Sequence, residues 1–225
     1  MIPDLPMYLN IVFIITTLLS IYIFYKAANN SNTTLAVIFA WALVQAALAF
    51  SGFYTVTDTF PPRFALLAGP AVVFIILLFL LPAGRRWLDG LDLKTITILH
   101  IVRIPVELTL YWLFLQKAIP EIMTFAGRNF DIIAGITAPL MYYTGFANNQ
   151  PRKVILIAWN LLCLSLLFNI VITAVLSAPS SFQQFGFDQP NIAILYFPFV
   201  WLPAVVVPLV LLSHLASLRK LMKRN

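Results

Sequence analysis

An apolar segment long enough to cross a bilayer carries three side chains that can hold charge or exchange protons: His100, Arg103 and Glu107. At about 100° per residue, these side chains and Tyr111 fall on one side of a helix and form a polar stripe on an otherwise apolar surface. A charged group near the bilayer centre costs at least about 2.5 kcal/mol, so such residues usually face the interior of a helix bundle. The stripe therefore predicts an inward-facing polar site on the segment 93–117.

Arg103 and Glu107 are i,i+4 neighbours and can contact each other, which would lower the cost of burying both. Pro105 lies between them and cannot donate to the carbonyl of Ile101, so that acceptor is free for a side chain, water or ligand. A broken helix with an ion pair at mid-depth suits a site for a solute or for protons. Glu107 would then exchange a proton, and Arg103 would hold an anionic or hydroxylated group. The pair could instead serve only to fix the packing of its helix.

Further polar and aromatic residues are expected at the depth of Arg103 and Glu107, where they would line the same cavity. They are Trp41, Gln45, Trp159 and Asn160. His100 and His214 are predicted to lie at similar depths, so a two-histidine haem or metal site is conceivable. No spacing motif accompanies these histidines, so hydrogen-bonded side chains are the simpler interpretation, and we expect no cofactor.

The composition indicates an all-α integral membrane protein. Hydrophobic residues make up 61% of the 225 residues and charged residues 10%, whereas about a quarter of the residues in a soluble domain are charged. The pI near 9.6 could suggest a nucleic-acid partner. However, the basic residues lie in short segments between apolar runs, where they orient helices, so we expect none. A single cysteine, Cys163, excludes an internal disulfide.

Seven apolar segments are predicted to form transmembrane helices in a single domain over residues 1–225, because backbone groups in lipid must be paired within the segment. The segments are 7–26, 33–56, 63–82, 93–117, 130–146, 153–177 and 191–217. The joints between them carry turn residues, among them Asn148 and Asn149.

The distribution of Lys and Arg predicts the orientation of these helices. On one side of the membrane lie Lys26, Arg85, Arg86, Lys94, Arg152, Lys153, Arg219, Lys220, Lys223 and Arg224, and on the other only Arg63, Lys117 and Arg128. The richer side should be cytoplasmic, which puts the N-terminus outside and the C-terminus in the cytoplasm. We therefore expect a multi-pass protein of the cell membrane, that is, the plasma or inner membrane. The first apolar run has no basic residue before it, which argues against a cleaved signal peptide.

A faint internal duplication appears when the first three segments are laid over the last three. Segment 35–43 aligns with 153–161 and matches Trp41 to Trp159, and Pro-Ala-Val-Val occurs at both 70–73 and 203–206. Ala-Asn-Asn also recurs at 28–30 and 147–149. Chance similarity between apolar helices is the alternative. If the duplication is real, an odd linker helix gives two parallel repeats related by an axis near the membrane normal.

This layout of three helices, a linker helix and three helices resembles the SWEET sugar transporters and the wider PQ-loop-like superfamily. Pro139 in the fifth segment is placed like the kink proline of that family, although no Pro-Gln dipeptide stands in the first or fifth segment. The resemblance implies that the fourth helix connects two triplets and that solute binds between them. The polar stripe on the linker helix departs from the family pattern, so no sugar specificity is carried over.

A charged turn precedes the fifth segment. Asn129 could cap the helix there, with Asp131 in its first turn. Alternatively Glu121, Arg128 and Asp131 could form an outer gate.

Enzyme motifs such as HExxH, GxSxG and a Walker loop are missing from the sequence, so an enzyme is not the first expectation. The sequence favours binding or proton-coupled transport of a small polar solute. A receptor that binds without transport, or a membrane-embedded haem or metal enzyme, remain alternatives.

Overall fold

The structure is a computed structural model that describes residues 1–147 and 150–223. The chain is 71% helical, which confirms the all-α prediction. The turn residues Asn148 and Asn149, which also belong to the proposed repeat, lie outside the described residues, as does Arg224 of the charge comparison.

The first two helices are α1, Met7–Ala27, and α2, Asn32–Phe50. The Ser31 hydroxyl caps α2 by accepting a hydrogen bond from the Thr34 N–H at 3.2 Å. The predicted second segment extended to residue 56, but α2 stops at Phe50. Gly52 follows with φ +74°, a left-handed conformation that suits glycine and ends helices.

The third apolar segment is bent. Helix α3 spans Ala65–Leu80, and α4, Pro82–Gly90, leaves it at 95°. Leu81 is extended, as expected of a residue before proline, and Pro82 starts the next helix where its missing N–H costs nothing. Asp89 of α4 binds Arg219 with an Nε–Oδ1 distance of 2.9 Å and so ties α4 to the last helix.

The segment that carries the polar stripe is a broken span. It consists of α5, Leu93–Ile98, a 3₁₀ turn over Leu99–Val102, and α6, Arg103–Leu115. Pro105 explains the break, because its ring cannot be accommodated against the carbonyl of Ile101 in a continuous α-helix. His100 lies in the 3₁₀ turn, and Arg103 is the first residue of α6.

The chain after α6 folds back into the bundle before α7 begins. Buried residues of this return include Ile119, Met123 and Thr124, and a short 3₁₀ helix spans Glu121–Met123. Helix α7, Ile132–Thr144, is about 20 Å long, so it is too short to cross a hydrocarbon core of roughly 30 Å unaided.

The last two helices follow a short hairpin. A short hairpin pairs β1, Phe146–Ala147, with β2, Gln150–Pro151, and leads into α8, Lys153–Ser177, which packs along the final helix. The predicted seventh segment began at residue 191, but only a 3₁₀ turn over Ala193–Leu195 lies before Trp201. A π-helical turn, Leu202–Val206, then continues into α9, Val207–Met222.

Within residues 1–147 and 150–223, five helices are long and apolar enough to cross a membrane, or six if α3 and α4 count as one bent span. They are α1, α2, the α5–α6 segment, α8 and the segment Leu202–Met222. The share of the span that is buried is 67% for Leu202–Met222 and 22% for α2, so α9 lies at the centre of the bundle and α2 at its edge. This architecture is consistent with a membrane protein.

Candidate functional site

Arg103 forms a buried ion pair with Asp131 rather than with Glu107, its expected partner. Arg103 Nη1 lies 2.9 Å from Asp131 Oδ1, and the two side chains are 3% and 6% exposed. Asp131 is the residue immediately before α7, where the positive end of the helix dipole favours a carboxylate. The ion pair therefore fastens the start of α7 to the start of α6.

Arg103 also donates to the Cys163 carbonyl, 3.4 Å from Nη1, and to His214, and the hydrogen bonds of His214 determine the protonation of its ring. Arg103 Nη2 lies 3.1 Å from His214 Nε2, and His214 Nδ1 lies 2.8 Å from Asn160 Oδ1. Arginine can only donate, so Nε2 must accept and the proton must be on Nδ1. Asn160 is oriented to accept from it because its own Nδ2 donates to the Leu156 carbonyl at 2.7 Å. His214 is thus a neutral imidazole.

His100 stacks on His214 with ring centroids 3.9 Å apart and 21° between the planes. The rings of His100 and Trp159 meet edge to face with centroids 5.3 Å apart, and the Trp159 indole N–H donates to Thr137 Oγ1 at 2.9 Å. Both ring nitrogens of His100 are buried and have no hydrogen-bond partner among the described residues, and the same holds for Arg103 Nε. We call His100, Arg103, Asp131, Asn160 and His214 the Arg103 cluster.

Glu107 lies beside this cluster and is paired with an amide. Its Oε2 accepts a hydrogen bond from Asn129 Nδ2 at 2.6 Å, and Asn129 Nδ2 also donates to the Met123 carbonyl at 3.0 Å. Asn129 Oδ1 accepts from the N–H of Asp131 at 3.0 Å. Asn129 therefore links Glu107 to the residue that binds Arg103. The predicted cap is not formed: Asp131 precedes α7 instead of lying in its first turn, and Asn129 accepts from the N–H of Asp131 and not from a helical N–H.

This arrangement does not favour ligation of haem or metal by two histidines. Both nitrogens of His214 are already engaged, and its ring is stacked against His100 instead of facing it across a gap. Within residues 1–147 and 150–223, no group of three or more His, Cys, Asp or Glu side chains is placed to hold a metal ion. The haem or metal interpretation stays an untested alternative.

Trp41 was expected near Arg103, but it belongs to the contact between α2 and the π-helical turn Leu202–Val206. Its indole N–H donates to the Ala204 carbonyl at 2.9 Å. Pro208 lacks the N–H that would normally bond this carbonyl, so Trp41 takes the place of the missing helical donor. In the same contact, the Trp201 indole donates to the Ala42 carbonyl at 2.9 Å. Trp41 and its proposed repeat partner Trp159 thus bind different kinds of acceptor.

Gln45 likewise satisfies a carbonyl that a proline leaves free. Its Nε2 lies 3.5 Å from the Leu66 carbonyl, to which Pro70 cannot donate. Its Oε1 accepts from the Tyr54 hydroxyl at 2.5 Å, and burial raises the pKa of Tyr54 to about 12. The structure therefore places Gln45, like Trp41, away from the Arg103 cluster.

The remaining predicted residues are dispersed. Tyr111, the last member of the stripe, stacks on Phe125 with ring centroids 4.8 Å apart. Of the predicted outer gate, Glu121 and Arg128 are exposed, whereas Asp131 is buried against Arg103. These three side chains therefore do not form one gate in this structure.

Two cavities stand out in the described part of the chain, and neither is lined by a member of the Arg103 cluster. An apolar groove of about 510 Å³ lies between α2, α3 and α9, and a cavity of about 580 Å³ lies beside Glu121 near the end of α6. Around Arg103 the helices are in close contact. A Cβ on Gly135 of α7 would lie 2.9 Å from Ile104 Cγ1 and 3.0 Å from the Ile104 nitrogen. Arg103 itself is 2% exposed, so closely packed helices enclose it.

The sequence interpretation did not identify Asn129 as the partner of Glu107 or Asp131 as the partner of Arg103. One signal could have suggested both. The apolar helix that follows Asn129 and Asp131 is too short to reach both faces of the bilayer unaided, so its polar start is expected to lie within the bundle.

The chain matches no curated protein and no solved structure. Residues 61–222, more than half of the 225 residues, match the family described as “Domain of unknown function (DUF8737)”. The matched stretch includes all five members of the Arg103 cluster and Glu107 but not Trp41 or Gln45. The chain belongs to the DUF8737 family.

Proposed function

We propose that this protein is a multi-pass membrane protein that binds a small polar solute at the Arg103 cluster and moves it across the bilayer together with protons. The proposal places the N-terminus outside and the C-terminus in the cytoplasm, following the distribution of basic residues. It counts the bent α3 and the short α7 as spans, which gives seven. The two triplets, 7–82 and 130–217, act as parallel repeats on either side of the α5–α6 segment.

One observation carries the proposal: Arg103 is buried within the bundle and its hydrogen-bonding capacity is not filled. Its Nε and both nitrogens of the neighbouring His100 have no partner among the described residues. Asp131 Oδ1 is close enough for the ion pair but is not aligned for a hydrogen bond. Buried polar groups are normally satisfied, so unfilled capacity on adjacent residues calls for a bound water, ion or ligand.

The chemistry of these groups suggests the class of solute. A guanidinium presents several donors in a plane and suits a carboxylate, a phosphate or a pair of hydroxyl groups. His214 is fixed as an acceptor towards Arg103, which leaves His100 as the flexible partner for the solute. A small anion or hydroxylated molecule therefore fits best.

Glu107 is the proposed proton carrier. Its carboxyl group is buried and bonded to the amide of Asn129, so it can gain or lose a proton without breaking an ion pair. Movement of Asn129 together with Asp131 would change the surroundings of Glu107 and free Arg103 in one step. This contact is the physical link between proton exchange and solute release.

Opening requires α7 to separate from the α5–α6 segment. The two elements touch closely at Gly135, and the ion pair between Arg103 and Asp131 holds them together. A solute that competes with Asp131 for Arg103 would weaken this attachment. The bends at Pro82 and at the π-helical turn Leu202–Val206 give the two triplets places at which to flex.

The test uses purified protein in liposomes that contain a pH-sensitive dye. Acetate, lactate and inorganic phosphate serve as anionic probes and glucose as a hydroxylated probe. We expect at least one probe to be taken up with internal acidification. Glu107→Gln should abolish the acidification while retaining the fold, since Gln can still accept from Asn129. Asp58→Asn, a carboxyl-to-amide change at an exposed loop position, is the matched control.

Uptake with an unchanged pH profile in Glu107→Gln would refute the proton-carrier role. Binding of a probe without uptake would support the second candidate function, a sensor. The close packing around Arg103 is the observation that favours a sensor. Failure of all four probes to bind or to shift the melting temperature would refute this choice of solute class.

A further inference from the structure

The apolar groove is a second candidate binding site, separate from the Arg103 cluster. It has a volume of about 510 Å³ and runs between α2 and α3 over a floor formed by α9. Its walls are almost entirely apolar and include Val37, Trp41, Phe74, Trp87, Pro208 and Leu209. The exposed fractions of Val37 and Phe74 are both 52%, so the groove is open to the surroundings along its outer side.

The groove lies among the helices that are apolar and long enough to cross a membrane, so bilayer lipid is the neighbour that would meet its open side. If the groove were empty, the apolar side chains along its walls would lack van der Waals contacts on that side. Acyl chains are the abundant apolar groups at that depth. The peripheral position of α2, whose span is only 22% buried, leaves the groove accessible from the side.

Basic residues adjacent in sequence to a groove residue indicate which lipid fits. Trp87 of α4 lines the groove, and its sequence neighbours Arg85 and Arg86 are exposed. Neither arginine forms an ion pair within the described residues, and Asp89, the acid of α4, binds Arg219 and Lys223. Since α4 leaves α3 at 95°, it would lie along the membrane surface at the level of lipid headgroups.

We propose that the groove holds an acyl chain of an anionic phospholipid whose phosphate is bound by Arg85 and Arg86. Arginine binds phosphate oxygens in bidentate geometry, and Trp87 suits the boundary between headgroups and acyl chains. The inference depends on the chain lying in a membrane but not on solute binding at Arg103. Loss of uptake and loss of bound lipid are therefore separate results.

Native mass spectrometry of the whole protein provides the test, after equilibration with equal amounts of phosphatidylglycerol and phosphatidylcholine that carry the same acyl chains. The wild-type protein should retain phosphatidylglycerol preferentially. Arg85→Ala/Arg86→Ala should reduce that preference by up to about 30-fold, or about 2 kcal/mol. Arg152→Ala/Lys153→Ala removes the same charge at exposed positions away from the groove and should leave the preference unchanged.

A second pair of variants tests the groove itself. Ala71→Phe fills the groove and should remove both lipid adducts, whereas Ala47→Phe, on an exposed part of α2 outside the groove, should keep them. If Ala71→Phe does not fold, Val37→Trp fills the groove from its exposed edge. Equal lipid retention by the filled and control variants would overturn the proposal. An equal loss of preference in the two double-alanine variants would also overturn it. A wild-type dimer that Ala71→Phe dissociates would do so too, because a second copy of the chain would then occupy the groove.

Discussion

Asp131→Asn is expected to destabilise the protein by about 3–5 kcal/mol, because it leaves the guanidinium of Arg103 buried without a counter-charge. The substitution preserves the shape of the side chain and the backbone contact from residue 131 to Asn129. The loss therefore reports on charge rather than on packing. Both partners of the ion pair are almost fully buried, which places the pair among those whose disruption is costly.

Arg103→Met should cost less than Asp131→Asn for two reasons. The stranded carboxylate of Asp131 lies at the start of α7, where the helix dipole offsets part of its desolvation, and it can also take up a proton. The loss of the hydrogen bond to His214 adds about 1 kcal/mol. In the double variant both charges are gone, so the total loss should be no larger than that of Asp131→Asn alone.

The assay is unfolding in mixed micelles with increasing sodium dodecyl sulfate, followed by tryptophan fluorescence. A double-mutant cycle should give a coupling energy of at least about 2 kcal/mol between residues 103 and 131. Arg128→Met, at an exposed position, should change stability by no more than about 0.5 kcal/mol. Additive losses in the double variant would show that the ion pair does not hold α6 and α7 together, and the reasoning would be wrong.

Other contacts give further predictions in the same assay. Trp41→Phe leaves the Ala204 carbonyl without its donor and should lower the stability by about 1–3 kcal/mol. The double variant Trp41→Phe/Pro208→Ala should lose less stability, because the restored backbone N–H of residue 208 can bond that carbonyl. If the losses of the two single variants simply add, this explanation is wrong. Hydrogen bonds, chiefly from Arg219, lower the pKa of Asp89 from its ordinary 3.8 to about 2. Because the folded pKa is the lower one, the contribution of Asp89 to stability is complete above about pH 4 and disappears as the pH falls towards 2. Asp89→Asn should lack this pH-dependent loss, and an identical pH profile for the variant would refute the assignment.

Several helix positions could be predicted because their causes are local. Helix α8 spans the predicted 153–177, since its apolar run is bounded by basic and turn residues. The errors occur where the chain turns back into the bundle. The stretch before Trp201 is apolar in composition and was predicted as helix from residue 191, but it adopts mostly irregular structure held by contacts with distant residues. The N–H groups of Ile192 and Ala193, for example, both lie within hydrogen-bonding distance of the Ala118 carbonyl.

The candidate site was predictable only in part. The helical period and the cost of a charge in lipid place His100, Arg103 and Glu107 on an inward face, and the structure buries all three. Depth counting also suggested Asn160 but misplaced Trp41, because residues at the same depth can lie on opposite sides of a bundle. No local rule predicts that the carbonyl left free by a proline on one helix will accept a hydrogen bond from a tryptophan on another.

By itself, the sequence determined an all-α chain with long apolar helices and an inward polar stripe, since hydropathy and helical periodicity depend only on neighbouring residues. Only the tertiary structure decided the partners of the stripe. Arg103 binds Asp131 instead of Glu107 because the irregular return of the chain brings the start of α7 to mid-bundle. That position results from packing between residues far apart along the chain, which local spacing does not encode.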